Sequence, residues 1–284
     1  MSEVVYLNGY LVSRDQARIS PLDYGFLYGF GLFETMRAYS GRIFKLKNHL
    51  DRLEYAANNI GLQIDVPELQ EATQDTLHAN QLQDARIRIT VSAGEGETVP
   101  DPATCSNPTV MITAVHYSPY PEQVYDRGFR TCISSIRRNS GSPLAGLKST
   151  NYLESLLARR EARSSGFDEA ILLNEKGLLA EASTSNIFIV SGGKLLTPGK
   201  QNGLLPGITR DIVLEMAVQL GIDMAEQDIE LDELVHAEEV FLTNSLIEVM
   251  PVNGVDMKPV GNGKPGPVTR RIVEVYRSLV ILGK

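Results

Sequence analysis

Apolar and polar residues follow two patterns along the chain, and these predict its secondary structure. Short segments that alternate or are continuously apolar predict strands, and apolar residues spaced three or four apart predict amphipathic helices. In one such segment Leu50, Leu53, Ala57 and Ile60 share a helical face, and Gly61 is suited to end the helix. The predicted strands are Val4–Leu7, Tyr10–Val12, Leu32–Tyr39, Arg42–Lys45, Ala85–Ser92, Thr109–Val115, Phe129–Ile136, Glu169–Leu173, Leu178–Glu181, Asn186–Val190, Lys194–Thr197 and Glu239–Thr243. The predicted helices are Lys47–Ile60, Pro67–Asn80, Tyr152–Arg163, Thr209–Leu220 and one that begins near Pro267.

This mixture of strands and helices predicts a mixed α and β protein of two domains. A chain of 284 residues is long enough for two ordinary domains. The segment His116–Pro121 contains two prolines, which cannot continue the hydrogen bonds of a sheet. We therefore expect an N-terminal α/β domain over residues 1–117, a linker over 118–124 and a C-terminal domain over 125–284.

Composition excludes several classes of protein. The net charge of −8 opposes broad nucleic-acid binding, which requires a basic surface. No apolar run approaches the ~20 residues that span a membrane, and the first residues lack the pattern of a signal peptide. Cys105 and Cys132 are isolated in sequence, so we expect neither a metal site nor a disulfide scaffold. These features predict a soluble cytoplasmic protein.

Three residues together supply the chemistry that pyridoxal 5'-phosphate (PLP) requires. Lys148 can form a Schiff base, Glu181 can keep the pyridine nitrogen protonated, and Arg52 can bind the phosphate. Each has an ordinary alternative: a solvated lysine, a glutamate that caps a turn, and an arginine paired with Asp51 or Glu54. It is the combination that indicates a PLP enzyme.

Two further segments offer sites for anions. A predicted helix begins within Gly203–Arg210, and the free backbone amides at its start can bind a phosphate. Gly207 has no side chain to obstruct the approach of that phosphate. Arg86 and Arg88 alternate with Ile87 on a predicted strand, so they point to the same face. Arg88 is therefore a candidate for binding a substrate carboxylate, and a salt bridge to a nearby acid is the alternative.

At these residues the chain resembles the class IV aminotransferases, the fold-type IV PLP enzymes. The resemblance covers nearly the whole chain, through the segments Gly29–Arg37, His49–Leu53, Leu147–Tyr152, Glu181–Phe188, Gly203–Arg210 and Phe241–Val252. It implies two domains, the larger with a barrel-like sheet, a site in the cleft between them, and a homodimer. It also implies that Lys148 is the catalytic lysine, and that the cofactor is bound by Arg52, Glu181, Ser185, Asn186, Leu205, Ile208, Thr209 and Ser245.

The motifs point towards different subfamilies. Lys148-Ser149-Thr150-Asn151 and Ser183–Asn186 resemble D-amino acid aminotransferases, but the arginine that those enzymes use for the substrate carboxylate is replaced within Val91–Gly94. Phe33 stands where they carry an active-site tyrosine. Tyr28 and Arg88 instead match substrate-facing residues of branched-chain aminotransferases, while Thr243–Leu246 resembles aminodeoxychorismate lyases. Tyr28, Phe33, Arg88 and Leu246 are accordingly the expected substrate contacts.

The resemblance predicts an aminotransferase that moves an amino group between an amino acid and a 2-oxo acid such as 2-oxoglutarate. We expect a D-amino acid or an (R)-amine as the donor. One alternative is a branched-chain L-amino acid aminotransferase, and another is aminodeoxychorismate lyase, which eliminates pyruvate to give 4-aminobenzoate. A PLP-binding protein without turnover is disfavoured by the presence of all three of Lys148, Glu181 and Arg52.

Overall fold

A computed structural model describes residues 3–282 of the chain. By its internal contacts the chain divides into two compact units. One comprises the chain up to Ser118 together with Leu147–Asn151, and the other comprises Pro119–Gly146 and the chain from Tyr152 onward. The short segment Leu147–Asn151, which contains the predicted catalytic lysine, thus belongs to the first unit although residues of the second precede it.

The first unit is a six-stranded sheet with helices packed on it. Its elements are β1 (Val4–Leu7), β2 (Tyr10–Ser13), α1 (Tyr24–Tyr28), β3 (Gly31–Tyr39), β4 (Arg42–Ile43), α2 (Leu46–Ile60), α3 (Val66–Ala79), β5 (Ala85–Ser92) and β6 (Thr109–His116). The strand order is β2-β1-β6-β5-β3-β4, with antiparallel pairing throughout. Alternate residues of β5, such as Ile87 and Ile89, are fully buried in one core with Leu50 and Leu53 of α2. Arg86 and Arg88 consequently lie on the opposite face of the sheet.

The second unit is built on a nine-stranded mixed sheet. Its elements are α4 (Glu122–Arg127), β7 (Phe129–Arg138), α5 (Leu153–Ser164), β8 (Glu169–Asn174), β9 (Leu179–Ala182), β10 (Asn186–Ser191), β11 (Lys194–Pro198), α6 (Ile208–Gln219), β12 (Met224–Gln227), α7 (Leu231–Val235), β13 (Glu239–Asn244), β14 (Glu248–Val255), β15 (Lys258–Pro259) and α8 (Pro267–Leu282). The order is β12-β11-β10-β13-β14-β7-β8-β9, and β15 pairs with β14. The last strand, β9, also contacts β10 and β11, so the sheet curls towards a barrel.

Every strand and helix predicted from the sequence is present, with its ends shifted by no more than a few residues. Among the elements that the sequence did not predict, three are informative. Glu248–Val255 is a buried strand that contains Pro251 and Gly254, both unfavourable for a strand. The short helix Tyr24–Tyr28 depends on an Asp23 cap, and the helix Glu122–Arg127 lies where a linker was predicted. Within residues 3–282, no helix is both long and apolar enough to span a bilayer.

Candidate active site

In the first unit, the backbone around Lys148 is fixed by strand β3. The Phe33 amide donates a hydrogen bond of 2.9 Å to the Lys148 carbonyl, and the Thr150 amide donates one of 2.8 Å to the Gly31 carbonyl. The glycine at position 31 is required by close packing, because a Cβ there would lie 2.8 Å from the Val91 carbonyl oxygen. The lysine is therefore held by the edge of a sheet, which limits where its amine can point.

The aromatic ring of Phe33 lies beside two cations. The Lys148 Nζ atom is 4.5 Å from the ring centre, and the Arg88 guanidinium carbon is 3.9 Å from it. Arg88 is fixed further by a hydrogen bond of 3.1 Å from its Nε to the Thr90 hydroxyl. Cations are attracted to the electron-rich face of an aromatic ring. Phe33 therefore helps to place an amine and a guanidinium close to one another.

A fully buried carboxylate, Glu34, organises the other face of β3. The Arg52 guanidinium donates to both of its oxygens, from Nε to Oε1 and from Nη2 to Oε2, each at 2.7 Å. His49 Nδ1 lies 2.7 Å from Oε2. Burial alone would raise the pKa of the Glu34 carboxyl, but the Arg52 charge and the hydrogen bonds of Arg52 and His49 hold that pKa well below its usual range. Glu34 is thus an anion that fixes the guanidinium plane of Arg52.

His49 is kept neutral by its surroundings. Burial is the largest effect and lowers its pKa; the neighbouring charges of Arg52 and Lys148 lower it further, while Glu34 acts in the opposite direction. The alternative expected for Arg52 was a surface ion pair with Asp51 or Glu54. Arg52 binds Glu34 instead, and Asp51 accepts hydrogen bonds of 2.7 and 2.8 Å from Lys47.

In the second unit, Glu181 at the end of β9 is held by two donors. Arg138 Nη2 lies 2.8 Å from Glu181 Oε1, and the Leu205 amide donates to Oε2 at 3.1 Å. Both donors contact a carboxylate that is largely buried. Tyr152 is close by: its pKa rises to about 12, chiefly through burial and then through the Glu181 charge. The phenol therefore remains protonated and able to donate at neutral pH.

Asn244 ties two turns of the second unit together. Its side-chain amide donates to the Thr184 carbonyl at 3.1 Å and to the Ser185 hydroxyl at 2.9 Å. Its carbonyl oxygen accepts from the amides of Leu246 and Ile247, at 2.8 and 2.9 Å. The turn that carries Ser185 and the turn that carries Ser245 and Leu246 are thus joined by a single side chain.

The start of helix α6 forms a candidate anion site in the same unit. Its N-cap, Gly207, provides no side chain to cap the amides of the first turn, which includes the buried Thr209. A Cβ at Gly207 would lie only 1.9 Å from the Asn186 side-chain oxygen, so glycine is required. Asn186 in turn donates a hydrogen bond of 2.8 Å to the Leu205 carbonyl. A buried, uncapped helix start beside a paired carboxylate is a donor set that fits PLP.

The two units therefore place the predicted residues in two local groups. In the first group, Lys148 and Arg88 lie beside the ring of Phe33. On the opposite face of β3, Arg52 binds Glu34. Tyr28 is half-exposed on α1, with its ring centre 4.8 Å from that of Tyr24. In the second, Glu181, Asn186 and Leu205 are joined by hydrogen bonds, Ile208 and Thr209 begin α6, and Ser185 is linked through Asn244 to the Ser245 turn.

Sequence reasoning missed four residues that organise these groups: Glu34, His49 as its partner, Arg138 and Tyr152. A signal was present for two of them. Glu34 is a charged residue within an apolar strand, which indicates a buried pair. Tyr152 adjoins the lysine segment. The contact between Arg138 and Glu181 has no local sequence signal, because it joins residues far apart in the chain.

Comparisons with known proteins identify the family of the chain. The model of the family described as "Amino-transferase class IV" matches residues 31–255. The chain is 39% identical over 280 residues to the "Putative branched-chain-amino-acid aminotransferase" of Methanocaldococcus jannaschii, covering 97% of this chain and 96% of that protein. It is 33% identical over 278 residues to the aminodeoxychorismate lyase of Bacillus subtilis, covering 96% of this chain and 94% of that protein.

Solved structures show the same fold. The branched-chain amino acid aminotransferase of Thermobaculum terrenum, determined in its PLP form, superposes with a TM-score of 0.89 at 29% identity. The match covers 100% of this chain and 95% of that one. The predicted mixed α and β fold of this kind, with a curled sheet in the larger unit, is therefore confirmed.

Proposed function

This chain belongs to the class IV aminotransferases, a family of PLP-dependent enzymes, and from that premise we propose that it transfers the amino group of a branched-chain L-amino acid to 2-oxoglutarate. Relatives named as branched-chain aminotransferases support this donor. The preference for a D-amino acid or an (R)-amine predicted from two short motifs finds no support among them. That preference stays a prediction, which the half-reaction assay described below tests.

The observation that carries the proposal is the arrangement around Phe33. An amino acid presents a reacting amine beside a carboxylate, and here the Lys148 amine and the Arg88 guanidinium both lie over one aromatic ring. A guanidinium is suited to a carboxylate because its donors match the spacing of the two oxygens. A simple amine would make no use of Arg88. The geometry therefore favours amino acids and 2-oxo acids.

The cofactor, when bound, supplies an electron sink that makes the Cα–H bond of the amino acid acidic. We assign Lys148 as the amine that would hold it and that, once displaced by the amine of the substrate, would carry the proton between two carbon atoms. Glu181, fixed by Arg138 and the Leu205 amide, is the partner of the pyridine nitrogen. Arg52, Ile208, Thr209 and Ser245 are assigned to the phosphate, and Leu205 to the ring.

Other contacts follow from position. Ser185, Asn186 and Tyr152 are polar groups around the Glu181 carboxylate or the turns beside it, and we assign them to the orientation of the cofactor. Tyr28, Phe33, Arg88 and Leu246 are the assigned substrate contacts. Their functional test is the effect of substitution on one substrate relative to another, rather than on activity alone.

The structure weakens one argument for aminodeoxychorismate lyase activity. Asn244 is a residue shared with aminodeoxychorismate lyases, but in this chain both ends of its side chain are engaged in joining two turns. It thus has a sufficient structural role. The similarity to the lyase of Bacillus subtilis keeps this reaction as an outcome to be tested.

The test is a half-reaction with one donor at a time. Holoenzyme is mixed with L-leucine, D-alanine or (R)-1-phenylethylamine, and the loss of the visible absorbance of lysine-bound PLP is followed. Rapid conversion by L-leucine supports the proposal, whereas conversion by D-alanine or the amine alone replaces it with the D-type reaction. Release of pyruvate from aminodeoxychorismate without an amino acceptor, and no conversion by any donor, would identify the lyase.

We also propose that the enzyme is a cytoplasmic homodimer, as its family membership suggests. Two aromatic side chains of the first unit, Tyr10 and Phe26, are 73% and 76% exposed, which supports an interface with a second copy of the chain. Light scattering after size exclusion should give twice the 31.2 kDa chain mass. A mass of one chain at micromolar concentration would contradict the dimer and leave the proposed reaction unaffected.

A further inference from the structure

Three consecutive residues with hydroxyl side chains, Ser183–Ser185, form the turn between β9 and β10 of the second unit. The turn follows the Glu181 carboxylate after one residue and leads directly into Asn186. It is closed by a hydrogen bond of 2.7 Å from the Ala182 amide to the Ser185 carbonyl. The conformation of this short turn therefore bears on groups assigned to the cofactor on both of its sides.

A buried carboxylate, Glu169, lies against this turn. It is the first residue of β8, is only 1% exposed and precedes the apolar run Ala170–Leu173. Arg159 of α5 compensates its charge, since Nη1 donates a hydrogen bond of 2.7 Å to Oε2. A buried ion pair is often no more stabilising than apolar residues in its place. The role of Glu169 is therefore to be sought in the other groups that its carboxylate binds.

Glu169 binds the first two hydroxyl groups of the turn. Its Oε1 atom accepts a hydrogen bond from the Ser183 hydroxyl, and its Oε2 atom accepts one of 3.0 Å from the Thr184 hydroxyl. Arg159 Nη1 donates in turn to the Thr184 oxygen at 3.2 Å. Both hydroxyl protons are thus used within the protein, and the backbone of the turn is held against β8.

The third hydroxyl, that of Ser185, is arranged differently. Ser185 is buried, and its oxygen accepts a hydrogen bond of 2.9 Å from the Asn244 side-chain amide. Within residues 3–282 its hydroxyl donates no hydrogen bond. A buried hydroxyl can both accept and donate, and a donor without an acceptor costs free energy. The turn therefore keeps one of its three hydroxyl protons available for a ligand.

We propose that Glu169 is a positioning residue for the cofactor. By binding the hydroxyls of Ser183 and Thr184, it fixes the turn so that Ser185 is the residue that donates to an anionic oxygen of PLP. Glu169 acts through the turn, and its carboxylate completes a chain of contacts from α5 and β8 to Ser185. This inference rests on the proposed function, because it concerns the same cofactor.

Glu169→Gln tests this role, because it keeps the size of the side chain but replaces one acceptor oxygen by an amide that cannot accept from a hydroxyl. Titration of the apoenzyme with PLP gives a Kd, and circular dichroism in the visible band of lysine-bound PLP reports how the cofactor is held. We expect the Kd to rise at least about tenfold, in line with the loss of one hydrogen bond to a charged group, and the visible signal to weaken.

Ser185→Ala distinguishes positioning from general destabilisation. In the wild-type background it should also raise the Kd about tenfold, whereas in Glu169→Gln it should add little, because both changes remove the same contact. Additive effects of the two substitutions on the free energy of PLP binding would overturn the proposal. So would a Glu169→Gln variant whose apoenzyme unfolds at a lower temperature but whose Kd and visible signal equal those of the wild type.

Glu161→Gln is the matched control. Glu161 of α5 is another carboxylate of the second unit that accepts from a serine hydroxyl, that of Ser134, at 2.6 Å. Its substitution removes the same charge and should leave the Kd and the visible signal of the cofactor unchanged. An equal rise in Kd in Glu161→Gln would overturn the specific assignment of Glu169.

A second variant keeps the proposal testable where Glu169→Gln does not fold. Ser183→Ala combined with Thr184→Val separates the turn from Glu169 and retains the ion pair with Arg159. This variant should likewise raise the Kd for PLP, and a wild-type Kd would overturn the proposal.

The half-reaction separates this proposal from the proposed function. If the wild type converts a donor while the variants at Glu169 and in the turn bind PLP normally, only the positioning role is wrong. If the wild type binds PLP but converts no donor, the proposed function fails, whatever the affinities of the variants.

Discussion

The Lys148 amine nitrogen lies 4.5 Å from the centre of the Phe33 ring. Since Arg88 contacts the same ring, Phe33→Leu should disturb both cations while preserving an apolar side chain. A cation–π contact is worth about 1 kcal/mol in a partly exposed site, so we expect a loss of about fivefold in the half-reaction rate with L-leucine. Phe44→Leu, which alters a ring elsewhere in the unit, is the control. An unchanged rate in Phe33→Leu would show that the ring does not position the amine.

Lys148→Ala should abolish the visible absorbance of lysine-bound PLP, because no amine then occupies this position. The fold should survive, since β3 holds this segment through backbone hydrogen bonds that the substitution retains. Absorbance spectra and thermal unfolding of the apoenzyme measure the two effects. Lys200→Ala, an exposed lysine of the second unit, should change neither. Retention of the native absorbance by Lys148→Ala would mean that another lysine binds the cofactor.

Glu34→Gln should destabilise the protein more than any exposed charge substitution. Glu34 is fully buried and paired with Arg52 and His49, so its neutralisation leaves a guanidinium without its anion. Removal of one partner of a buried pair costs about 3–5 kcal/mol. Asp51→Asn, which breaks only an exposed pair with Lys47, should cost less than about 1 kcal/mol. Denaturant unfolding at neutral pH compares the two variants.

The lowered pKa of Glu34 predicts that the stability of the fold depends on pH. Its pKa in the folded chain lies below the ordinary value of 4.5, so its contribution is present above that pH and is lost as pH falls below it. His49 acts in the same direction, because its lowered pKa means that the unfolded chain takes up a proton first as pH falls below 6.5. Thermal midpoints should therefore drop steeply below pH 4.5, and less steeply in Glu34→Gln. Parallel curves would contradict this assignment.

Glu181→Gln should slow the half-reaction without releasing the cofactor. An amide cannot hold the positive charge of a protonated pyridine, and removal of one electrostatic contact to a reacting system typically costs about 10²-fold in rate. Stopped-flow absorbance measures the rate, and PLP titration measures the affinity. Glu175→Gln is the control, because that carboxylate binds the exposed turn at Ser140. A normal rate in Glu181→Gln would assign the pyridine partner elsewhere.

The sequence was most informative where local chemistry decides the structure. The β5 pattern predicted that the two arginines flanking Ile87 share one face, and the structure has Ile87 in the core with both arginines on the opposite face. The lysine segment was singled out only in combination with Glu181 and Arg52, and the glycine before α6 because it precedes a predicted helix. Such features are fixed by strand alternation and by the amides of a helix start.

The remaining features depend on contacts between distant residues. Glu34 of β3 contacts His49 and Arg52 of α2. Arg138 of β7 contacts Glu181 of β9. No spacing rule relates those positions, so their pairing could be found only in the folded chain. The structural role of Asn244 was not predicted for the same reason: its partners, Ser185 and Ile247, lie in two different turns.

The assignment of Leu147–Asn151 to the first unit has a consequence for dividing the gene. A fragment that stops near Ser118 would contain Phe33, Arg88 and Arg52 but would lack the backbone that pairs with β3 and the amine itself. A fragment that starts at Pro119 would carry Lys148 without the strand that fixes it. Neither fragment would therefore contain a complete first unit. When the two fragments are produced separately, Lys148 would return to its position beside β3 only if the fragments associate.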